Sequence, residues 1–152
     1  MLSFSPLGAF ALALGVGALA SRPAHAQNQV ANYAYGTPGT AGYEHFSFWT
    51  LDNRRSDAQY AYGKDRRDNQ LRYVGPDQLR GQPCFKVKFS NGHLLYIVPN
   101  GTALQVATSR TAPPKTFAWE YEGPVNGVGT NCSVCAANAA AAMRLVQQHY
   151  LR

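Results

Sequence analysis

Three cysteines carry the most distinctive local chemistry in this sequence: Cys132 and Cys135 bracket Ser133-Val134, and Cys84 stands far upstream. A Cys-x-x-Cys pair at the start of a helix gains thiolate stability from the helix dipole, which is what a thiol-disulfide centre requires. Thioredoxin-like proteins place that motif early, after a strand in a βαβ pattern, whereas here it follows a succession of strands near the end of the chain. The structural alternative is a disulfide from Cys84 to the helix start. It would close a loop of about 50 residues and stabilise the fold by about 3–4 kcal/mol on chain-entropy reasoning. An odd cysteine count leaves one thiol over. Zinc would need a fourth ligand, and no His stands at finger-like spacing; haem attachment would need His where Ala136 follows Cys135. No metal and no cofactor is expected.

Other groups that could do chemistry lack company. His45 and Ser47 share one face of a strand, but there is no Gly-x-Ser-x-Gly elbow, and no orienting carboxylate can be assigned from the sequence. Glu120 and Glu122 also share a face, as acid–base carboxylate pairs do, yet on an edge strand they would face solvent. No catalytic residue is expected. The doublets Arg54-Arg55 and Arg66-Arg67, with Tyr60, Tyr62 and Tyr73 nearby, have the ingredients of nucleic-acid binding. They alternate with Asp52, Asp57, Asp65 and Asp68, and in an up-down meander the two doublets fall at opposite ends, so they read as solvated charged turns. Nucleic acid is not an expected partner. His93 sits beside a hairpin turn, and His149 in the last turn of a helix, where a cation suits the dipole. The alternating aromatics Phe46 and Phe48, Tyr60 and Tyr62, and Phe117, Trp119 and Tyr121 fit core packing, with a cleft for a sugar or apolar ligand as the functional alternative.

These residues must be positioned by strands. Seven runs rich in Tyr, Phe, Val and Trp are separated by turn residues: Tyr43–Thr50, Ala58–Tyr62, Gln70–Val74, Cys84–Phe89, Leu94–Val98, Ala103–Thr108 and Thr116–Glu122. Two Asn-Gly pairs, Asn91-Gly92 and Asn100-Gly101, predict two-residue hairpins. Pairing outward from the first sets Phe89 against Leu94, Val87 against Tyr96 and Phe85 against Val98 on one face. Pairing outward from the second sets Ile97 against Leu104 and Leu95 against Val106 on the other. The Leu94–Val98 strand is then apolar on both sides, and both must be covered. Alternation gives Cys84 the face of Leu95 and Ile97. The cover for that face is a helix over about residues 131–152, rich in Ala, capped by Asn131 or Ser133, with Cys135, Ala139, Met143, Val146 and Tyr150 as its buried stripe. The expected fold is therefore α+β: a curled or barrel-like antiparallel meander of six to seven strands with one C-terminal helix packed on it. The stretch from Tyr73-Val74-Gly75 through Leu79-Arg80-Gly81-Gln82-Pro83-Cys84-Phe85-Lys86-Val87-Lys88, with its hairpin to Tyr96, resembles a hairpin unit of periplasmic lipoprotein-carrier half-barrels. Those carriers wrap a larger sheet around a helix, and neither function nor site residues carry over.

The apolar run Leu7 to Ala20, followed by Ser21-Arg22-Pro23-Ala24-His25-Ala26, fits a signal peptide cleaved after Ala26, although Met1 to Ser5 supplies no Lys or Arg. The run is too short and too rich in Gly and Ala to suit a permanent span. Residues 1–26 are thus expected to be a signal peptide, 27–42 a polar, flexible lead-in, and 43–152 a single β-rich domain that is secreted or periplasmic. Lys and Arg number 14 against 8 Asp and Glu, a net +6, and loss of Arg22 with residues 1–26 leaves +5, which mildly favours acidic partners such as lipopolysaccharide, nucleic acid or anionic glycans. The expected function is that of a non-enzymatic exported protein binding a protein, a glycan or an apolar ligand. The alternatives are a thiol-disulfide redox protein using Cys132 and Cys135, a small-ligand carrier and a small hydrolase.

Overall fold

Eight strands follow one another up and down in chain order and close into a barrel in the computed structural model, which describes residues 29–51, 54–63, 67–120 and 135–152. They are β1 (Gln29–Tyr35), β2 (Glu44–Leu51), β3 (Arg54–Tyr62), β4 (Arg67–Leu79), β5 (Gln82–Lys88), β6 (Leu94–Asn100), β7 (Ala103–Ala107) and β8 (Lys115–Trp119), and one helix follows, α1 (Ala139–Tyr150). Closure occurs where Tyr33 and Ala34 of β1 pair with Trp119 and Ala118 of β8, so each of the eight described strands has a partner on both sides. Beyond Trp119 the edge of β1 is taken over by the C-terminal segment, with Val30 bridging Cys135 and the Ala136 N–H donating to the Val30 carbonyl at 2.9 Å. The α+β class, the antiparallel meander and the single C-terminal helix are as expected, with eight strands instead of six or seven.

The additional strand is β1, inside the segment expected to be a flexible lead-in. Its inward residues Ala31 and Tyr33 are fully buried, but the small or polar Ala31, Asn32 and Ala34 blur the alternation. What orders the strand is pairing on both edges, with β2 and with β8, which local propensity does not report.

The hairpin registers also differ from expectation. At Asn91-Gly92 the Phe89 N–H donates to the His93 carbonyl at 2.9 Å, and the Gly92 N–H to the Phe89 carbonyl at 3.0 Å. With Gly92 at φ 90°, this is a three-residue loop rather than a two-residue one. Val87 therefore faces Leu95 and Phe85 faces Ile97, one residue out of the expected register. A one-residue slip exchanges the faces of a strand, so Phe85 and Val87 lie inside the barrel together with Leu95 and Ile97. The second turn centres on Gly101-Thr102, with Asn100 opposite Ala103 and Gly101 at φ 60° in the first central position. Here the displacement is two residues: Ile97 meets Val106 instead of Leu104, and every side chain keeps its face.

The interior is filled by Phe46, Phe48, Leu71, Phe85, Ile97 and Phe117 from the strands and by Met143, Val146 and Tyr150 from α1. The helix begins later than expected. Its N-cap is Asn138, whose Oδ1 accepts from the Ala141 N–H at 2.9 Å; Asn131 and Ser133 lie outside the described residues. Ala142 and Leu145 join the buried stripe, while Cys135 precedes the helix. As required, Leu95 and Ile97 are covered, at 7% and 0% exposure. The outer side of β6 has its own small cluster of Val98, Leu79, Cys84 and Ala107, with Tyr96 packed against it. A bulge at Val74 in β4 switches the strand's parity and turns Asp77 and Leu79 outward to meet that cluster. Among the described residues no helix is long and apolar enough to cross a membrane.

Candidate functional site at the barrel rim

The antiparallel pairing of β1, β2 and β3 puts Tyr35, Glu44 and Tyr62 in one row, because Glu44 is the partner of both tyrosines. By alternation the row continues the inward set of Tyr33, Phe46 and Tyr60, and it forms the last rung where β1 ends and β2 begins. The opposite end is closed by α1, whose Tyr150 hydroxyl donates to the Trp49 carbonyl at 2.8 Å near the end of β2. Lys115, at the start of β8, pairs with Glu44, and its Nζ stands 5.2 Å from the centre of the Tyr35 ring. Burial first, and then the Glu44 carboxylate, push the Tyr60 phenol above its ordinary range.

Tyr35 and Tyr62 are 38% and 48% exposed, and Val74 on the bulge is the one other large hydrophobic so exposed among the described residues. Each tyrosine rests on a second aromatic. Tyr62 stacks on Tyr60 with centroids 6.0 Å apart, and Tyr35 lies 5.7 Å from Phe117. Below them the space is taken: Phe46, Phe117, Phe48, Tyr33 and Phe85 are all fully buried and in mutual ring contact through the barrel. The aromatics read from the sequence thus divide into a packed core and a pair of tyrosine faces at the mouth. Trp119 packs partly buried against that core, and Tyr121 lies outside the described residues.

A groove of about 630 Å³ runs beside the rim, lined by Asp57, Gln70, Arg72, Lys88, Phe89 and Ser90. Arg72 and Lys88 are directly opposite in the β4–β5 ladder. Sequence reasoning missed this site, since only the pairing of β4 with β5 makes neighbours of two cations distant in the chain.

The remaining candidates fall elsewhere. The Tyr43 hydroxyl donates to Glu120 Oε2 at 2.7 Å, and His45 Nε2 is 3.9 Å from the same oxygen, so the structure supplies the carboxylate that the sequence could not assign to His45. Tyr43 is fully buried and His45 8% exposed; the trio ties the start of β2 to the end of β8 on the outer wall. Ser47 lies on β2 with His45, and Glu122 lies outside the described residues. Arg54 and Arg55 open β3 and Arg67 opens β4, at opposite ends as expected, with Arg66 outside the described residues. The Arg55 guanidinium lies 3.5 Å from the Tyr73 ring centre, and the Tyr73 hydroxyl donates to the Tyr150 carbonyl at 3.0 Å, so this arginine helps close the helix end of the barrel.

Cys84 is a free thiol, fully buried in the outer cluster, and the expected bridge from it to the helix start is not formed. The cause is the register: Cys84 faces outward, while α1 lies against the interior. Burial, and after it the Asp77 charge, push this thiol up. Cys135 is disulfide-bonded, and Cys132 lies outside the described residues. Among the described residues no cluster of three or more His, Cys, Asp and Glu side chains could hold a metal ion.

The fold and site together define a class, a closed eight-stranded up-and-down barrel with a helix at one end and an aromatic, ion-paired rim at the other. No family model matches the chain, and neither does any curated protein or solved structure.

Proposed function

We propose that the chain is an exported, non-enzymatic binding protein that takes its ligand on the barrel rim, at Tyr35, Glu44, Tyr62 and Lys115. The observation that carries this reading is the pair of exposed tyrosine faces flanking an ion pair above a packed interior. Rigid aromatics with two rotatable angles make contact area at low entropic cost, which is why they concentrate at recognition surfaces. A carrier would need interior volume, and the buried phenylalanines occupy it, so a ligand of drug-like size sits on the mouth instead of within.

The thiol-disulfide reading draws support from one observation. Cys84 is free while Cys135 is disulfide-bonded, so one half of the Cys-x-x-Cys motif is oxidised. Such a bond also suits the oxidising compartment that export implies.

The test is to probe the purified chain against arrays of oligosaccharides and peptides, alongside Tyr35→Ala, Tyr62→Ala and Val74→Ala. Expected is a ligand whose affinity falls about tenfold or more in each tyrosine variant, as for loss of a central aromatic contact, and stays unchanged in Val74→Ala. Binding indifferent to both tyrosines, or no ligand in either array, overturns the reading.

A further inference from the structure

The geometry points to an acidic glycan as the ligand of this surface: sugar rings on the rim tyrosines and their carboxylate or sulfate groups on Arg72 and Lys88 in the adjoining groove. The inference rests on the rim reading and names its ligand class. Its starting point is an electrostatic cost. Arg72 and Lys88 are exposed, face each other directly across the β4–β5 ladder, and make no ion pair among the described residues. Like charges in that position repel. The one acid lining the groove, Asp57, turns its Oδ1 to the Tyr73 N–H at 3.0 Å. An anion placed between the two cations relieves the repulsion, and the guanidinium fork suits a planar carboxylate or a sulfate.

The groove and the rim are continuous. Phe89 lines the groove and meets the Tyr60 ring edge-on at 5.5 Å, and Tyr60 in turn stacks on Tyr62. A ligand that follows this path meets, in order, two cations with a neighbouring amide (Gln70) and hydroxyl (Ser90), an aromatic lip, and then the tyrosine faces with a carboxylate and an ammonium between them. A sugar chain has the matching sequence of groups: apolar C–H faces for the aromatic rings, hydroxyls for Gln70, Ser90, Glu44 and Lys115, and an acidic substituent for Arg72 and Lys88. At about 630 Å³ the groove falls in the range of sites for compact ligands. The net charge, +6 for the full sequence and +5 without Arg22, draws in polyanions. A single-stranded nucleic acid would also stack on the rim, but its sugar–phosphate backbone brings fewer free hydroxyls to Gln70, Ser90, Glu44 and Lys115 than a sugar chain does.

The test titrates the full chain calorimetrically with hexagalacturonate, neutral cellohexaose and a thymidine hexanucleotide at low and moderate salt, together with the Arg72→Gln/Lys88→Gln double variant and Tyr62→Ala. Hexagalacturonate is expected to bind best, to weaken with salt, and to lose about tenfold or more in the double variant, as expected for removal of charge-assisted hydrogen bonds. Tyr62→Ala is expected to weaken it as well. The double variant should melt no lower than the parent, because it removes a repulsion. Equal affinity for cellohexaose, tighter binding of the hexanucleotide, or an unchanged double variant overturns the inference. If no oligosaccharide binds while a tyrosine-dependent peptide does, the glycan assignment fails and the rim reading stands. If hexagalacturonate binding ignores Tyr62, the rim reading and the continuity of groove and rim fail together.

Discussion

Asp77 shows how much one outward-facing carboxylate can organise. The Gln78 N–H at 2.7 Å, then Arg110 at 2.7 Å, then Lys86 at 3.2 Å hold its pKa down from 3.8 to about 2. Arg110 also donates to the Gln78 carbonyl, and Arg80 to the carbonyls of Thr111 and Ala112, so the connection between β7 and β8 is fastened over Cys84. A pKa lowered by folding gives stability that is present above pH 3.8 and lost as the pH falls towards 2. Asp77→Asn should abolish that acid limb in melting temperature against pH, and speed amide exchange at residues 108–114 at neutral pH; an unchanged limb would place the acid sensitivity elsewhere. For His149, burial and then Arg152 depress the pKa below 6.5, so the neutral form is the one the fold favours. Stability from this group is present above pH 6.5 and declines as pH falls below it, whereas the sequence suggested a cation at the helix end. At Cys84, a thiol reagent should find no accessible group in the native chain and one per chain in denaturant, given its burial and the bond at Cys135. Three reactive thiols would remove the disulfide from the account.

Among the elements, the turns decide the most and were the hardest to read. Asn-Gly rightly announced hairpins at both places, but the local dipeptide does not say which residues are the central pair, and that choice set the face of Phe85, Val87 and Cys84. Gly92 at φ 90° has open space around the site of a Cβ, so a substitution there meets a purely conformational penalty. Gly92→Val should cost about 1–2 kcal/mol in urea unfolding, the price of a left-handed conformation in a branched residue; a neutral result would mean that the loop can revert to a two-residue turn. What local pattern could express was readable: the alternating strands, the helical stripe of Met143, Val146 and Tyr150, and the need to cover β6 on both sides. What depends on pairing between distant segments was not. β1 is ordered by β2 and β8, Glu120 reaches His45 only across the closed barrel, and Arg72 meets Lys88 only once β4 and β5 are aligned. The rim residues were all visible as types, yet Tyr35 lay in a segment read as a lead-in, and Tyr62 read as one more core aromatic.

At the scale of the whole molecule, the two ends of the barrel have different duties. One end is left with exposed tyrosines, and the other is sealed by α1, with Tyr150 as the residue that joins helix to barrel. Its ring is fully buried, with centroids 5.3 Å from Phe85, 5.4 Å from Phe48 and 5.8 Å from Tyr73. Its hydroxyl donates to Trp49, and its carbonyl accepts from Tyr73. Removing a large buried aromatic leaves a cavity and costs about 3–5 kcal/mol, a large share of the 5–15 kcal/mol that holds a domain together. Tyr150→Phe keeps the ring and gives up one hydrogen bond, at about 0.5–1.5 kcal/mol. Urea unfolding followed by tryptophan fluorescence, which senses Trp49 and Trp119, should rank the chains parent, Tyr150→Phe, Tyr150→Ala. Tyr150→Ala should also bind a hydrophobic dye that the parent ignores, because opening this end exposes the interior face of β5 and β6. Stability within about 1 kcal/mol of the parent, a typical surface-like response, would make the helix an appendage rather than the floor of the barrel, and the rim would lose the rigid base on which its tyrosines are set.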